Sequence, residues 1–375
     1  MPTVSSSPAP ARAWLAALLR GAEPGPMPDE AVLLDTAQAE GVLALCHDQL
    51  RRSPTWEQYP ATLRVALIRH ARQEAAVDML RAAELREVLE ALARQGLPVL
   101  LLKGAALAHI LYPEPYLRSR CDTDLLLPSR DDAERAWRVL ETLGYERPNA
   151  ISGDLIVYQL NCHKIGRGQL THAVDVQWRL SKAALFAEVF PFTELAAAAV
   201  PVPALGPSAH SLGLVHALLM ACIHRVFHLP EGNGDRLIWL YDIHRLAERF
   251  TEKHWQHFTT LAEERTVCGA CLDGLSTTEA WLATSLPEAV LRRLRTGAAR
   301  ERFDSRQARS RWGLAWLTFR ALPSTAARLR WLGQNLFPDA DYMRRKYNFH
   351  HSGWLPWFYG VRIVQGVAKR LRQGR

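Results

Sequence analysis

The sequence predicts an α+β fold, with a short block of strands lying between two helical regions. Three observations carry this. Apolar residues recur three and four apart before residue 96, as in Met79, Leu80, Leu85, Leu89 and Leu92. Compact apolar runs and a glycine-centred hairpin pattern follow. After about residue 208 the helical period returns.

Taken in order, Met1 to Pro10 is rich in Ser, Pro and Ala, with no basic start and no apolar centre. It is expected to be a disordered leader and not a signal peptide. Residues 11–96 form an N-terminal helical region with no evident chemistry, and residues 97–207 form the strand-bearing core. There, Pro98 to Leu102 reads as a strand buried on both faces. Residues 105–111 read as a helix, 112–120 as a loop with two prolines, and 121–127 as a second strand. Ser129 is a fitting N-cap for a helix ending before Gly144. Residues 154–165 and 170–178 read as a hairpin around Gly166-Arg167-Gly168. Residues 208–375 form the C-terminal helical region.

The bulk properties exclude some classes. No apolar run approaches the roughly 18 residues of a membrane span. Six scattered cysteines fit a reducing, cytoplasmic setting. Only Cys268 and Cys271 are close together, and buried thiols on one helix face explain them. The net charge of +8 is uneven: residues 288–375 hold 17 Arg and 2 Lys against 5 acids. That basic region suits nucleic acid, anionic lipid or an acidic partner, or is simply a solvated helical surface. Its aromatic residues, Trp312, Trp316, Phe319, Trp331, Tyr347, Trp354, Trp357 and Tyr359, sit among arginines. This mixture suits single-stranded nucleic acid, but aromatics at helical spacing are expected to be core.

The chemistry concentrates in carboxylates. Asp122 and Asp124 stand two apart on a strand, hence on one face, with Cα atoms roughly 6.6 Å apart. Two such anions on an apolar strand need compensation, and hard oxygen donors suit magnesium. Asp175 sits between Val174 and Val176, sharing its strand face with Ala173 and Gln177. If its strand neighbours that of Asp124, three carboxylates converge.

The segment Val99 to Leu127, with Lys103-Gly104, Leu107, Tyr112-Pro113, Leu117-Arg118 and Asp122-Thr123-Asp124-Leu125-Leu126, resembles the bacterial uncharacterised nucleotidyltransferases of the polymerase-β-like superfamily. Asp175 in Val-Asp-Val-Gln-Trp resembles their third acidic strand. Arg236 with Trp239-Leu240-Tyr241-Asp242 resembles a downstream helical motif, and Leu336-Phe337-Pro338 through Arg345 and Tyr347 the C-terminal region. The resemblance implies a small mixed sheet flanked by helices. It also implies magnesium (two ions, with manganese as the alternative) on Asp122, Asp124 and Asp175, with Asp175 a metal ligand or general base. The Lys103-Gly104-Ala105 turn, Arg118 and Arg120 would take the phosphates of an NTP, ATP first. The product would be a nucleoside monophosphate ester of an acceptor hydroxyl on a protein, peptide, sugar or small molecule. This chain has Gly104-Ala105 where the superfamily has Gly-Ser or Gly-Gly, and Gln177 where the branch often has His.

Secondary candidates have structural readings beside the functional ones. Lys103 is also readable as an ordinary exposed lysine. Arg118 would pair with Glu114 or an aspartate of the site, aiming Asp122 or Asp124. Gly104 would serve a tight turn. Asp242 would reach the site or pair with Arg236 or His224. His224 and His228, four apart without an intervening glutamate, read as a packed pair. Two other functions compete with transfer: an inactive nucleotide-binding or regulatory module, and an RNA-binding protein using the basic region.

Overall fold

A computed structural model describes residues 8–148, 153, 155–181, 184–349 and 351–372. Four helices open the fold: α1 (Pro8–Leu19), α2 (Glu30–Glu40), α3 (Leu43–Arg51) and the 34-residue α4 (Ala61–Arg94). Pro8, expected within the leader, already begins α1, where proline loses no helical hydrogen bond. Residues 1–7 lie outside the described residues. Leu85, Leu89 and Leu92 of α4 are buried as their spacing predicts, whereas Met79 is 74% exposed.

The core then runs β1 (Leu100–Leu102), α5 (Lys103–Leu111), β2 (Thr123–Leu126), α6 (Arg130–Thr142), β3 (Gln159–Ile165) and β4 (Thr171–Gln177). Ser129 caps α6 by accepting from the Asp132 N–H, and Gly144 takes the left-handed conformation beyond its end. The strand expected from residue 154 begins only at Gln159; residue 154 is outside the described residues and 155–156 form a turn. Two short helices follow, α7 (Ala184–Ala187) and α8 (Phe192–Ala197). Then come β5 (Val200–Pro201) and β6 (His210–Ser211), too short to leave a periodic signal.

These strands form one mixed sheet in the order β3-β4-β2-β1-β6-β5. β2 runs antiparallel to β1 and parallel to β4, while β3 and β4 form the expected antiparallel hairpin. Because β6 pairs with β1, the sheet extends past residue 207. The two faces of the sheet serve different layers. Leu101, Leu125, Val174 and Val176 pack with α4 and α6. Leu100, Leu102 and Leu126 join the larger core on the other side. Strand alternation therefore turns the valines beside Asp175 towards α4 and α6, and Asp124 and Asp175 towards the opposite layer.

That layer is helical: α9 (Leu214–His228), α10 (Leu237–Ala247), α11 (Glu252–Glu264), α12 (Cys268–Leu282) and α13 (Glu288–Ala298). Beyond it lie α14 (Ser305–Ala308), α15 (Arg311–Ala321), α16 (Thr325–Leu336), α17 (Ala340–Tyr347) and α18 (Leu355–Arg372). Cys268 and Cys271 are buried on α12, as expected, and burial pushes the Cys268 thiol up to about 12.

The expectation of an aromatic core in the basic region holds only in part: Phe319, Trp331, Tyr347 and Tyr359 are half-buried. Trp312, Trp316, Trp354 and Trp357 are all more than half exposed. Helical spacing shows that a stripe exists; it does not show that anything covers it.

Burial lowers the pKa of six histidines, His47, His70, His109, His172, His216 and His244, with neighbouring arginines adding to the effect at several. The unfolded chain therefore binds more protons below about pH 6.5. Their contribution is complete above that pH and is lost as pH falls through the lowered native values. Urea midpoints are expected to be lower at pH 5.5 than at pH 7.5. A midpoint that rose on acidification would contradict this sign.

Candidate active site

The register of the sheet builds the site. Asp124 on β2 stands directly opposite Asp175 on the parallel neighbour β4, and opposite Leu102 at the end of β1. Both aspartates are buried, at 4% and 8% exposure. Asp122 lies one residue before β2 and is exposed, yet it borders the same cavity of about 240 Å³. Asp122, Asp124, Asp175, Lys103, Gly104, Arg118, Arg120, Arg236, Asp242 and His224 all line that cavity. The sequence-predicted residues therefore meet, except Ala105, which is buried and does not reach it.

The carboxylates are held by donors. Lys103 Nζ donates to Asp124 Oδ1 at 2.7 Å, and Gln177 Nε2 donates to the same oxygen at 2.5 Å. Gln159 Nε2 donates to Asp175 Oδ2 at 2.8 Å, and Asn161 Nδ2 donates to Oδ1. Both oxygens of Asp175 thus accept from side-chain amides. Gln159 and Asn161 were absent from the sequence-based set. A signal existed: a hairpin folded about Gly168 pairs Asn161 with Asp175, and Gln159 with Gln177.

The turn between β1 and α5 differs from expectation. The left-handed residue is Lys103, at φ +52°, and not Gly104. A lysine there is an uncommon backbone conformation, of the kind concentrated at functional sites. Gly104 instead makes room for a side chain: a Cβ on it would lie 3.3 Å from the Arg118 guanidinium carbon.

Arg118 pairs with an aspartate that lines the cavity, Asp242, and not with Glu114, and the charge of Asp122 also acts on it. Its Nε lies 2.9 Å from Asp242 Oδ1 and its Nη2 lies 2.7 Å from Oδ2. Asp242 also accepts from the Tyr112 hydroxyl at 2.7 Å. Asp242 thus pairs with Arg118 and Tyr112, and not with Arg236. Burial acts to lower the Arg118 pKa, but the Asp242 carboxylate outweighs it and the net shift is upward. Burial first, then Asp242, raises the Tyr112 phenol. This buried pair ties the loop before β2 to α10.

Arg120 pairs with Asp78 of α4 at 2.8 Å. Its buried Nε and Nη2 have no hydrogen-bond partner among the described residues, and burial, partly offset by Asp78, lowers its pKa. Arg236 donates from Nε to the Ala39 carbonyl at 2.9 Å and lies 5.5 Å from the centre of the Trp239 ring. His224 and His228 form the expected packed pair, 4.7 Å apart, each against Trp239. With Phe227, they line the same cavity as the aspartates.

Among the described residues, no group of three His, Cys, Asp or Glu stands ready to hold a metal ion. The cation observed on Asp124 is the Lys103 ammonium.

A mixed sheet bearing facing aspartates at a cavity, with a strained lysine turn beside them, fits a phosphate-handling transferase. The family described as uncharacterised nucleotidyltransferase matches residues 26–309, three quarters of the sequence, and the chain belongs to that family. The match stops at residue 309, so the resemblance read into residues 336–347 lies beyond it. No curated protein matches the chain.

Proposed function

We propose that this chain transfers a nucleoside monophosphate from an NTP, with ATP the first to test, to an acceptor hydroxyl, in the manner of polymerase-β-like enzymes. The pairing of Asp124 with Asp175 on adjacent parallel strands at one cavity is the observation that carries this reading. In the reaction, the acceptor oxygen bonds to the α-phosphorus, the bond from that phosphorus to the bridging oxygen breaks, and pyrophosphate leaves. Asp175 takes the hydroxyl proton or serves as a metal ligand.

Four carboxylates border the cavity; Arg118 holds Asp242, which leaves Asp122 and the buried Asp124 and Asp175 as oxygen donors of the kind that suits a hard cation such as magnesium. Asp122, Asp124 and Asp175 would hold it. When bound, it supplies charge neutralisation for the attacking and leaving oxygens. For this, Lys103 must release Asp124, which its flexible stem permits, and its ammonium is then free for the triphosphate. The unpartnered N–H groups of Arg120 suit phosphate oxygens, an unsatisfied buried donor being costly. The wall of His224, Phe227 and Trp239 offers aromatic faces to a base.

A second reading, a nucleotide-binding module without transfer, is favoured by the Lys103–Asp124 pair alone. Incubation with α-labelled ATP, magnesium and candidate acceptors separates the two. Label on an acceptor, with pyrophosphate released, supports transfer. Tight ATP binding with no label on any acceptor supports the module.

A further inference from the structure

The region past the family match has an unusual surface. From residue 310 to 375 the sequence holds 12 Arg and Lys and two acids, Asp339 and Asp341. Asp341 already pairs with Arg344 at 2.9 Å. The same region presents large apolar side chains to solvent. On α16, Leu329, Leu332 and Leu336 are exposed, at 65%, 38% and 39%, three and four residues apart and so on one face. No residue of α16 is buried. On α15, Trp312 and Trp316 share a face, and on α18, Trp357 and Val364 stand two turns apart on one side, all exposed.

These helices touch one another. Trp316 stacks on Phe319, which contacts Trp331 of α16. Phe337, at the end of α16, meets Tyr359 of α18 edge-on, and Arg362 Nη1 donates to the Asn335 carbonyl at 2.6 Å. A 12-residue helix is marginal in water without tertiary burial of its apolar stripe. Here the stripe is formed and left uncovered, and exposed apolar surface on this scale marks an interaction site.

We propose that α15 to α18 dock this protein on an anionic lipid bilayer, lying in the headgroup layer without crossing it. The cationic excess supplies attraction to acidic headgroups. The tryptophans suit the water–lipid boundary, and the leucines and valine enter the acyl layer. Among the described residues no helix is long and apolar enough to cross a membrane, in keeping with a surface position. Single-stranded RNA fits less well. Its bases stack on aromatic rings, and exposed Leu329, Leu332, Leu336 and Val364 offer them nothing. The proposal stands apart from the transfer reaction, since none of these residues lines the cavity of the aspartates.

The test is flotation of the full chain with vesicles of phosphatidylcholine, with and without phosphatidylglycerol, beside a filter assay with poly-U RNA. Recovery with the phosphatidylglycerol vesicles, little with phosphatidylcholine alone, and weakening by salt are expected. The triple variant Leu329→Ser, Leu332→Ser, Leu336→Ser should lower partitioning by about tenfold or more. Because the three leucines are exposed, the circular dichroism of this variant should match that of the parent. Trp357→Ser on α18 is the independent second variant, with a smaller loss. No flotation with anionic vesicles overturns the proposal. So does flotation indifferent to both variants, or salt-sensitive RNA binding without vesicle binding.

Discussion

Asp124→Asn should reduce label transfer from α-labelled ATP by at least about a thousandfold, equivalent to about 4 kcal/mol of transition-state stabilisation. The substitution keeps the shape of the side chain and removes its charge, and with it the hard anionic ligand that faces Asp175 across β2 and β4. The fold should survive. Asp124 contributes no apolar packing, Gln177 can reverse its amide to suit the new side chain, and Lys103 can move towards water. Asp175→Asn should give a loss of similar size, with one difference. Gln159 and Asn161 present N–H groups to both oxygens, so one of these amides must reverse to accommodate the introduced NH2. Steady-state rates, read beside urea midpoints, separate the two effects. A variant at position 124 that kept full transfer would remove Asp124 from the chemistry.

Arg118→Ala should destabilise the fold by about 3–5 kcal/mol, the cost of leaving a buried charge without its partner. Arg118 and Asp242 are both buried, and after the substitution only Tyr112 would still donate to the carboxylate among the bonds described above. Asp242→Asn should cost less, because the amide oxygen still accepts from Arg118. The double replacement Arg118→Met, Asp242→Leu should recover most of the stability, since no charge is then left buried. It should not restore transfer, because the loop from Arg118 to Asp122 would lose its polar anchor on α10. Urea unfolding of the three variants checks the order. Equal loss in the single and double variants would mean that the pair acts through packing and not through charge.

The part of the site readable in the sequence was the part carried by strand period. Asp122 and Asp124 two apart, and Asp175 between two valines, were enough to place three carboxylates at one cavity. The valines face α4 and α6 because a strand alternates, and the aspartate cannot then do so. The hairpin centre at Gly168 also contained the partners of Asp175, although its register had to be worked outward to reach Asn161 and Gln159. Other features have no local signature. Arg118 and Asp242 lie 124 residues apart, and their pairing depends on how α10 packs against the loop before β2. The left-handed conformation falls on Lys103, while the neighbouring Gly104 leaves room for the Arg118 guanidinium, and neither is signalled locally. The two-residue strands β5 and β6 are too short for any periodicity. In the basic region, spacing located the aromatic stripes but could not say whether they face protein or solvent.

The most direct test of the aspartate site is a crystal structure grown with manganese and an ATP analogue that cannot release pyrophosphate. Anomalous scattering should place manganese about 2–2.5 Å from carboxylate oxygens of both Asp124 and Asp175, with Lys103 turned from Asp124 towards the triphosphate. Nucleotide in the cavity with no metal on either aspartate, and with Lys103 Nζ still bonded to Asp124, would contradict a metal-dependent transferase.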